Sequence, residues 1–148
     1  MPAGQKITTF LWYDGNAEEA AKHYVSIFRN SRIVEANPMV VTFELEGQRF
    51  MALNGGPMFK FTEAISLFVS CDSQGEVDAL WRKLSAGGEE SMCGWLKDRY
   101  GLSWQVIPTR LMTLMGDPDP AKAKRVMDAM LQMRKIDIAR LEEAHAGA

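Results

Sequence analysis

"ITTFLWYDGNAEEAAKHYVSIF" (residues 7–28) decides the fold once it is set beside "AISLFVSCDSQGEVDALWRKLSAGG" (residues 64–88). Each stretch begins with an apolar run that ends in an aspartate, Asp14 in one and Asp72 in the other, 58 residues apart. A polar residue or two follows. Large apolar side chains then recur three and four positions apart, the spacing that lines one face of a helix. In the first copy these are Ala20, Tyr24, Ile27 and Phe28; in the second they are Val77, Leu80, Trp81 and Leu84, with Gly87-Gly88 as a stop signal. A strand–helix unit that returns at a fixed interval is an internal repeat, and it organises everything around it.

Outward from the helices the copies continue alike. "RIVEA" (32–36) and "MVVTFELEGQRFMALNGG" (39–56) read as strands with a hairpin turn at Glu46-Gly47-Gln48. The counterpart in the second copy is "GWLKDRYGLSWQVIP" (94–108), turning at Tyr100-Gly101-Leu102. Gly47 matches Gly101, so Phe50 matches Trp104, and Trp95 and Trp104 are expected to cover one face of a sheet. Beyond the second copy, "DPDPAKAKRVMDAMLQM" (117–133) offers Asp119 as N-cap, Pro120 at the first helical position and an apolar stripe of Val126, Met127, Met130 and Met133. A short helix is expected at "DIARLEEAHAG" (137–147), with Asp137 as its cap.

With 148 residues, 47% hydrophobic and 24% charged, the chain fits one ordinary globular domain, here expected to span 1–148. Its net charge is −2, and the basic residues are scattered among acids, which argues against nucleic acid as a partner. The N-terminal stretch lacks the pattern of a signal peptide, and no run reaches membrane-spanning length, so a cytoplasmic protein with no membrane partner is expected. Cys71 and Cys93, too few for a disulfide framework and without C-x-x-C spacing, read as reduced thiols.

Two copies of strand, helix and three strands make the βαβββ repeat of the vicinal oxygen chelate superfamily, which includes glyoxalases, bleomycin-resistance proteins and extradiol dioxygenases. Four stretches, "FLWYDGNAEEAAKHYVSIF" (10–28), "ALNGGPMFKFTEAIS" (52–66), "CGWLKDRYGLSWQVIP" (93–108) and "DPDPAKAKRVMDAMLQMRKIDIARLEEA" (117–144), together resemble its PhnB-like family, often named 3-demethylubiquinone-9 3-methyltransferase. The resemblance implies an α+β fold of two βαβββ modules, about 5–57 and 58–112, forming a glyoxalase/bleomycin-resistance-like half-barrel, with a C-terminal helical extension over about 117–147. It also implies a C2 homodimer. One departure is visible: the link "VEANPM" (34–39) is short where the family carries a Gly- and Pro-containing loop.

In metal-dependent relatives, the first strand of each module supplies a ligand such as His, and a late strand supplies Glu, His or Gln. The corresponding strands here begin Ile7-Thr8-Thr9 and Ile65-Ser66, and the late strands hold Phe50, Met51, Trp104 and Gln105, of which only Gln105 is able to ligate. No metal and no cofactor is therefore expected, and His23 and His145 read as surface residues. A nucleoside cofactor needs a Gly-rich turn that opens a helix, whereas in "ALNGGP" Pro57 follows the glycines and a strand comes next, so these glycines read as a sharp connection.

The concave face of a half-barrel is the natural pocket. Its candidate ligand-binding residues are Trp12, Asn54, Phe59, Phe61, Ser66, Trp95, Trp104 and Gln105. Each aromatic among them also fits a filled core. Asn54, Ser66 and Gln105 carry more information, because each needs a hydrogen-bond partner when buried and a ligand is one such partner. Cys93 and Asp98 are the weak catalytic candidates: Lys97 and Arg99 lie near enough to favour a thiolate, Gly94 leaves room for close approach, and Asp98 is the member of a solvated turn that is able to point inward. The expected function is metal-independent binding of a small aromatic or apolar molecule. The alternatives are an enzyme, either a metal-dependent lyase, isomerase or dioxygenase or the methyltransferase of the family name, and a purely structural dimer.

Overall fold

Residues 4–147 are described by the structure, a computed structural model, and they divide between Phe61 and Thr62 into two units. In the first unit, β1 (Thr9–Tyr13) leads into α1 (Ala17–Ile27), followed by β2 (Arg32–Ala36), β3 (Val40–Leu45) and β4 (Gln48–Asn54). The sheet runs β1-β4-β3-β2, with β1 parallel to β4 and the other pairs antiparallel. In the second unit, β5 (Leu67–Cys71), α2 (Gln74–Ser85), β6 (Glu89–Glu90), β7 (Trp95–Lys97) and β8 (Ser103–Pro108) repeat that topology as β5-β8-β7-β6, again with the first strand parallel to the last. Each unit is a βαβββ module, so the fold is the α+β architecture expected from the repeat. Three helices close the chain: α3 (Thr109–Met115), α4 (Pro120–Met130) and α5 (Ile138–Ala146).

The two helices use the repeat differently. α2 buries Val77, Leu80, Trp81 and Leu84, the four positions its periodicity marks. Ser73 Oγ caps it by accepting from the Glu76 amide, and the Glu76 carboxylate accepts in turn from the Asp72 amide. α1 instead buries Ala17, Ala20, Ala21 and Tyr24, leaving Ile27 and Phe28 half-buried. Small alanines let this helix lie close to its sheet, where the Tyr24 hydroxyl meets that of Tyr13 at 3.0 Å. The short link between β2 and β3 is a closed hairpin turn in which Asn37 Oδ1 accepts from the amides of both Met39 and Val40.

The C-terminal helices pack on the second unit. Ile107 at the end of β8 joins Leu111, Leu114, Val126, Met133, Ile136 and Leu141 in one buried cluster. Gln74, the first residue of α2, fastens them: its amide donates to the Ile136 carbonyl and its oxygen accepts from the Ile138 amide. The α4 and α5 caps fall where the sequence puts them, on Asp119 and Asp137. The Met stripe needs correction, because Val126 and Met133 turn inward while Met127 is 44% exposed. β8 passes directly into α3, whose N-cap is Pro108, a residue with no side-chain oxygen to announce a helix.

Neither histidine is the surface residue expected. His23 is half-buried on α1, and His145 hydrogen-bonds Asp117 at 2.7 Å, joining the end of α5 to the loop after α3. The Asp119 amide, first, and then His145 hold the Asp117 carboxyl below the usual carboxylate range. A carboxyl so held adds stability above its unfolded value, about 3.9, and loses that contribution as pH falls through its lower folded value. Acid unfolding of Asp117→Asn should accordingly be flatter below about pH 4 than that of the wild type, as circular dichroism would record.

Candidate functional site

A β-ladder places cross-strand partners on the same face and successive residues on opposite faces. In the second sheet Trp104 pairs with Leu96 and Leu67, while Gln105 pairs with Trp95 and Phe68. Trp95 and Trp104 therefore lie on opposite faces, not on one as the sequence reading had it. Trp104, Leu96, Val106 and Cys71 are buried on the side packed against α2. The face away from α2 carries Ser66, Phe68, Trp95, Lys97, Ser103 and Gln105.

On that open face Gln105 Nε2 donates to Ser66 Oγ at 2.9 Å, with half-buried Trp95 and half-exposed Phe68 on either side. One row along, Ser103 pairs with Lys97 in register, and Lys97 Nζ reaches Glu63 at 3.3 Å. Ser103 is fully buried, and its Oγ has no hydrogen-bond partner among the described residues. Ser103 and Lys97 were not singled out as site residues. The signal was available: Ser103 stands two positions before Gln105 on one strand and so shares its face.

In the first unit, Trp12 donates from Nε1 to the Gly56 carbonyl at 2.9 Å and meets Phe59 edge-on at 4.9 Å. A Cβ on Gly55 would lie 2.3 Å from the indole, which is why the "NGG" stretch needs glycine there. Phe59 remains 59% exposed, whereas Phe61 packs edge-on against Tyr13 at 5.3 Å. Asn54 is occupied by the fold: Oδ1 accepts from the Ala17 amide at 2.8 Å, capping α1 from the end of β4, and Nδ2 donates to the Pro38 carbonyl. At the position matching Lys97 and Ser103, this sheet pairs Glu44 with Arg49. Arg32 also reaches Glu44, at 3.1 Å, and holds its carboxyl below the usual range, with help from Arg49. The Arg49 Nε, like the Ser103 Oγ, has no partner among the described residues.

Asp98 does point inward, where it staples the β7–β8 turn: Oδ1 accepts from the amides of Tyr100 and Leu102, and Oδ2 from the Trp104 indole at 2.9 Å. An acid so occupied holds the turn together. Cys93 sits in a left-handed conformation with its amide on the Met133 carbonyl. Gly94 does not leave the space expected beside it, because Ile107 and Ile136 fill that space. Burial, first, and then nearby Glu76 and Asp72 push the Cys71 thiol up to about 12. Cys71 should consequently resist iodoacetamide at pH 8 in the folded protein and become alkylated only in denaturant, with peptide mass spectrometry separating it from Cys93. Among the described residues no three of His, Cys, Asp or Glu converge as a metal site.

The family described as 3-demethylubiquinone-9 3-methyltransferase matches residues 5–107. Among solved structures, a putative 3-demethylubiquinone-9 3-methyltransferase, PhnB protein, from Bacillus cereus is 39% identical, with a TM-score of 0.65 over 70% of this chain and 99% of that one. Protein PA1353 from Pseudomonas aeruginosa is 21% identical, with a TM-score of 0.58 over 69% of this chain and 96% of that one. The fosfomycin resistance protein FosX from Listeria monocytogenes, solved with Mn(II) and sulfate, is 16% identical, with a TM-score of 0.53 over 70% of this chain and 88% of that one; this likeness concerns the fold. Among curated proteins, none matches this chain.

Proposed function

The chain belongs to the 3-demethylubiquinone-9 3-methyltransferase family, of the glyoxalase/bleomycin-resistance superfamily, and from that premise we propose that it binds a small aromatic or apolar molecule without a metal. The observation that carries the proposal is the Gln105–Ser66 pair on the open face of the second sheet. There a polar couple with an unused N–H and carbonyl oxygen stands between Trp95 and Phe68, and a few convergent polar groups among aromatics are what a small-molecule site requires. Ser66, Trp95 and Gln105 are the binding residues of this reading. Trp12 and Phe59 offer an aromatic pair in the first unit. In this reading Trp104, Asn54 and Phe61 act through the fold, and Cys93 and Asp98 have no catalytic part.

Two features favour metal independence. The first strands, where metal-dependent relatives would carry ligands, begin Ile7-Thr8-Thr9 and Ile65-Ser66, and of Phe50, Met51, Trp104 and Gln105 on the late strands only Gln105 is able to ligate. The methyltransferase of the family name has less support, because the paired glycines serve Trp12: Gly55 leaves room for its ring and Gly56 accepts its N–H. Native mass spectrometry of freshly purified protein tests the reading. A co-purifying small organic molecule is the expected result. One transition metal per chain, or micromolar binding of S-adenosylmethionine, would replace the reading with one of the enzyme alternatives.

A C2 homodimer belongs to the same proposal. Phe10 on β1 and Phe68 on β5, equivalent edge-strand positions of the two modules, are 52% and 50% exposed, and Met112, Met127 and Leu131 add apolar surface on the C-terminal helices. Light scattering should report twice the mass of the chain, and a monomer persisting at high micromolar concentration would remove the dimer.

A further inference from the structure

Among the described residues, Ser103 is the fully buried residue on this face of the second sheet whose side chain brings a polar atom with no partner. Leaving a buried hydroxyl without a hydrogen bond is unfavourable, and a serine kept for structure alone would be replaced by alanine at a gain. The groups around Ser103 share one property, which is that they donate. Lys97, its cross-strand partner, carries an ammonium; Gln105, two residues on, has a second N–H to give; and Ser66 Oγ, already accepting from Gln105, still has its own O–H. Three donors, one of them the buried Ser103 hydroxyl, and a cation share this face with one carbonyl oxygen among them, the chemistry that receives an anionic oxygen.

The protein itself supplies one such oxygen. The Glu63 carboxylate, on the segment before β5, lies 3.3 Å from Lys97 Nζ and is 65% exposed, so its side chain is free to swing away. Beside the donors, the row Phe68–Gln105–Trp95 provides an aromatic wall. We propose that this face binds a small aromatic molecule carrying a carboxylate or phenolate, with Ser103 and Lys97 holding the anionic oxygen in the place of Glu63 and with Trp95 and Phe68 against the ring. The proposal rests on the small-molecule reading above and gives that molecule a charge. Glu63 then acts as an internal competitor: the ligand exchanges one carboxylate for another on Lys97, and the Ser103 hydroxyl gains its first partner.

Calorimetric titration with 2-naphthoate and its uncharged counterpart 2-naphthamide tests this. The wild type should bind the acid at least tenfold more tightly than the amide. Ser103→Ala should weaken naphthoate by about tenfold, equivalent to about 1.4 kcal/mol, while its thermal midpoint stays level or rises, since no existing bond is lost. Lys97→Met should abolish the preference for the acid, and Glu63→Gln should tighten naphthoate several-fold. Equal affinity for acid and amide, with all three variants unaltered, overturns the anion assignment and leaves small-molecule binding standing. A lowered thermal midpoint for Ser103→Ala with unchanged affinity shows a packing residue and overturns it too. No binding of either probe at millimolar concentration also ends it, while a molecule carried through purification still decides the broader reading by itself.

Discussion

Gly94→Ala is expected to destabilise the second unit by about 2–5 kcal/mol, combining left-handed strain on a residue with a Cβ and overpacking of a filled site. Gly94 has φ +83°, and a Cβ there would meet Ile107 Cδ1 at 2.7 Å, the Val106 carbonyl at 3.0 Å and Ile136 Cγ1 at 3.2 Å. None of these is a mobile tip able to step aside: Ile107 is buried within β8 and Ile136 is fully buried among the C-terminal helices. The Gly94 amide also donates to the Arg134 carbonyl at 2.8 Å. Moving the backbone to relieve the clash therefore separates β7 from the segment joining α4 to α5. Urea unfolding followed by far-ultraviolet circular dichroism measures the loss. A midpoint within error of wild type would mean that the cluster under those helices is loosely packed.

Trp104→Ala should cost about 3–5 kcal/mol, the range for deleting a large buried aromatic. It also removes a donor from Asp98, a residue that is 2% exposed. Trp104→Phe separates the two losses, because it keeps most of the ring and omits the N–H, and should cost about 1–3 kcal/mol. Since Trp104 faces α2, any effect on ligand binding follows the fold. Trp95→Ala should behave in the opposite way, with little change in urea midpoint and a large loss of affinity. If Trp104→Phe abolished binding while leaving stability intact, the assignment of faces would be wrong.

The architecture was legible because the repeat constrains it twice. The four apolar positions of α2 and the hairpin turns at Gly47 and Gly101 are local signals, carried by periodicity and by the conformations only glycine adopts freely. The failures share one cause, which is register. Reading Trp95 and Trp104 as neighbours on one face required knowing which residue of β7 stands opposite which residue of β8, and that depends on how many residues the Asp98-stapled turn consumes. Asn54 looked like a ligand-binding amide because nothing in its own segment shows that it caps a helix thirty-seven positions earlier in the chain. Space at Gly94 was misjudged for the same reason, since the residues that fill it come from β8 and from the segment before α5.

The Glu44–Arg49 and Lys97–Ser103 pairs occupy one address in the two βαβββ modules. At that address one module carries mutually neutralising charges and the other a hydroxyl beside a lysine, so two positions are enough to give twin sheets different electrostatic personalities. A transplant is thereby defined. Writing the first module's pair into the second, as Lys97→Glu with Ser103→Arg, would set a guanidinium where a fully buried serine sits and a second carboxylate beside Glu63, so the twin sheets share an address without being interchangeable there.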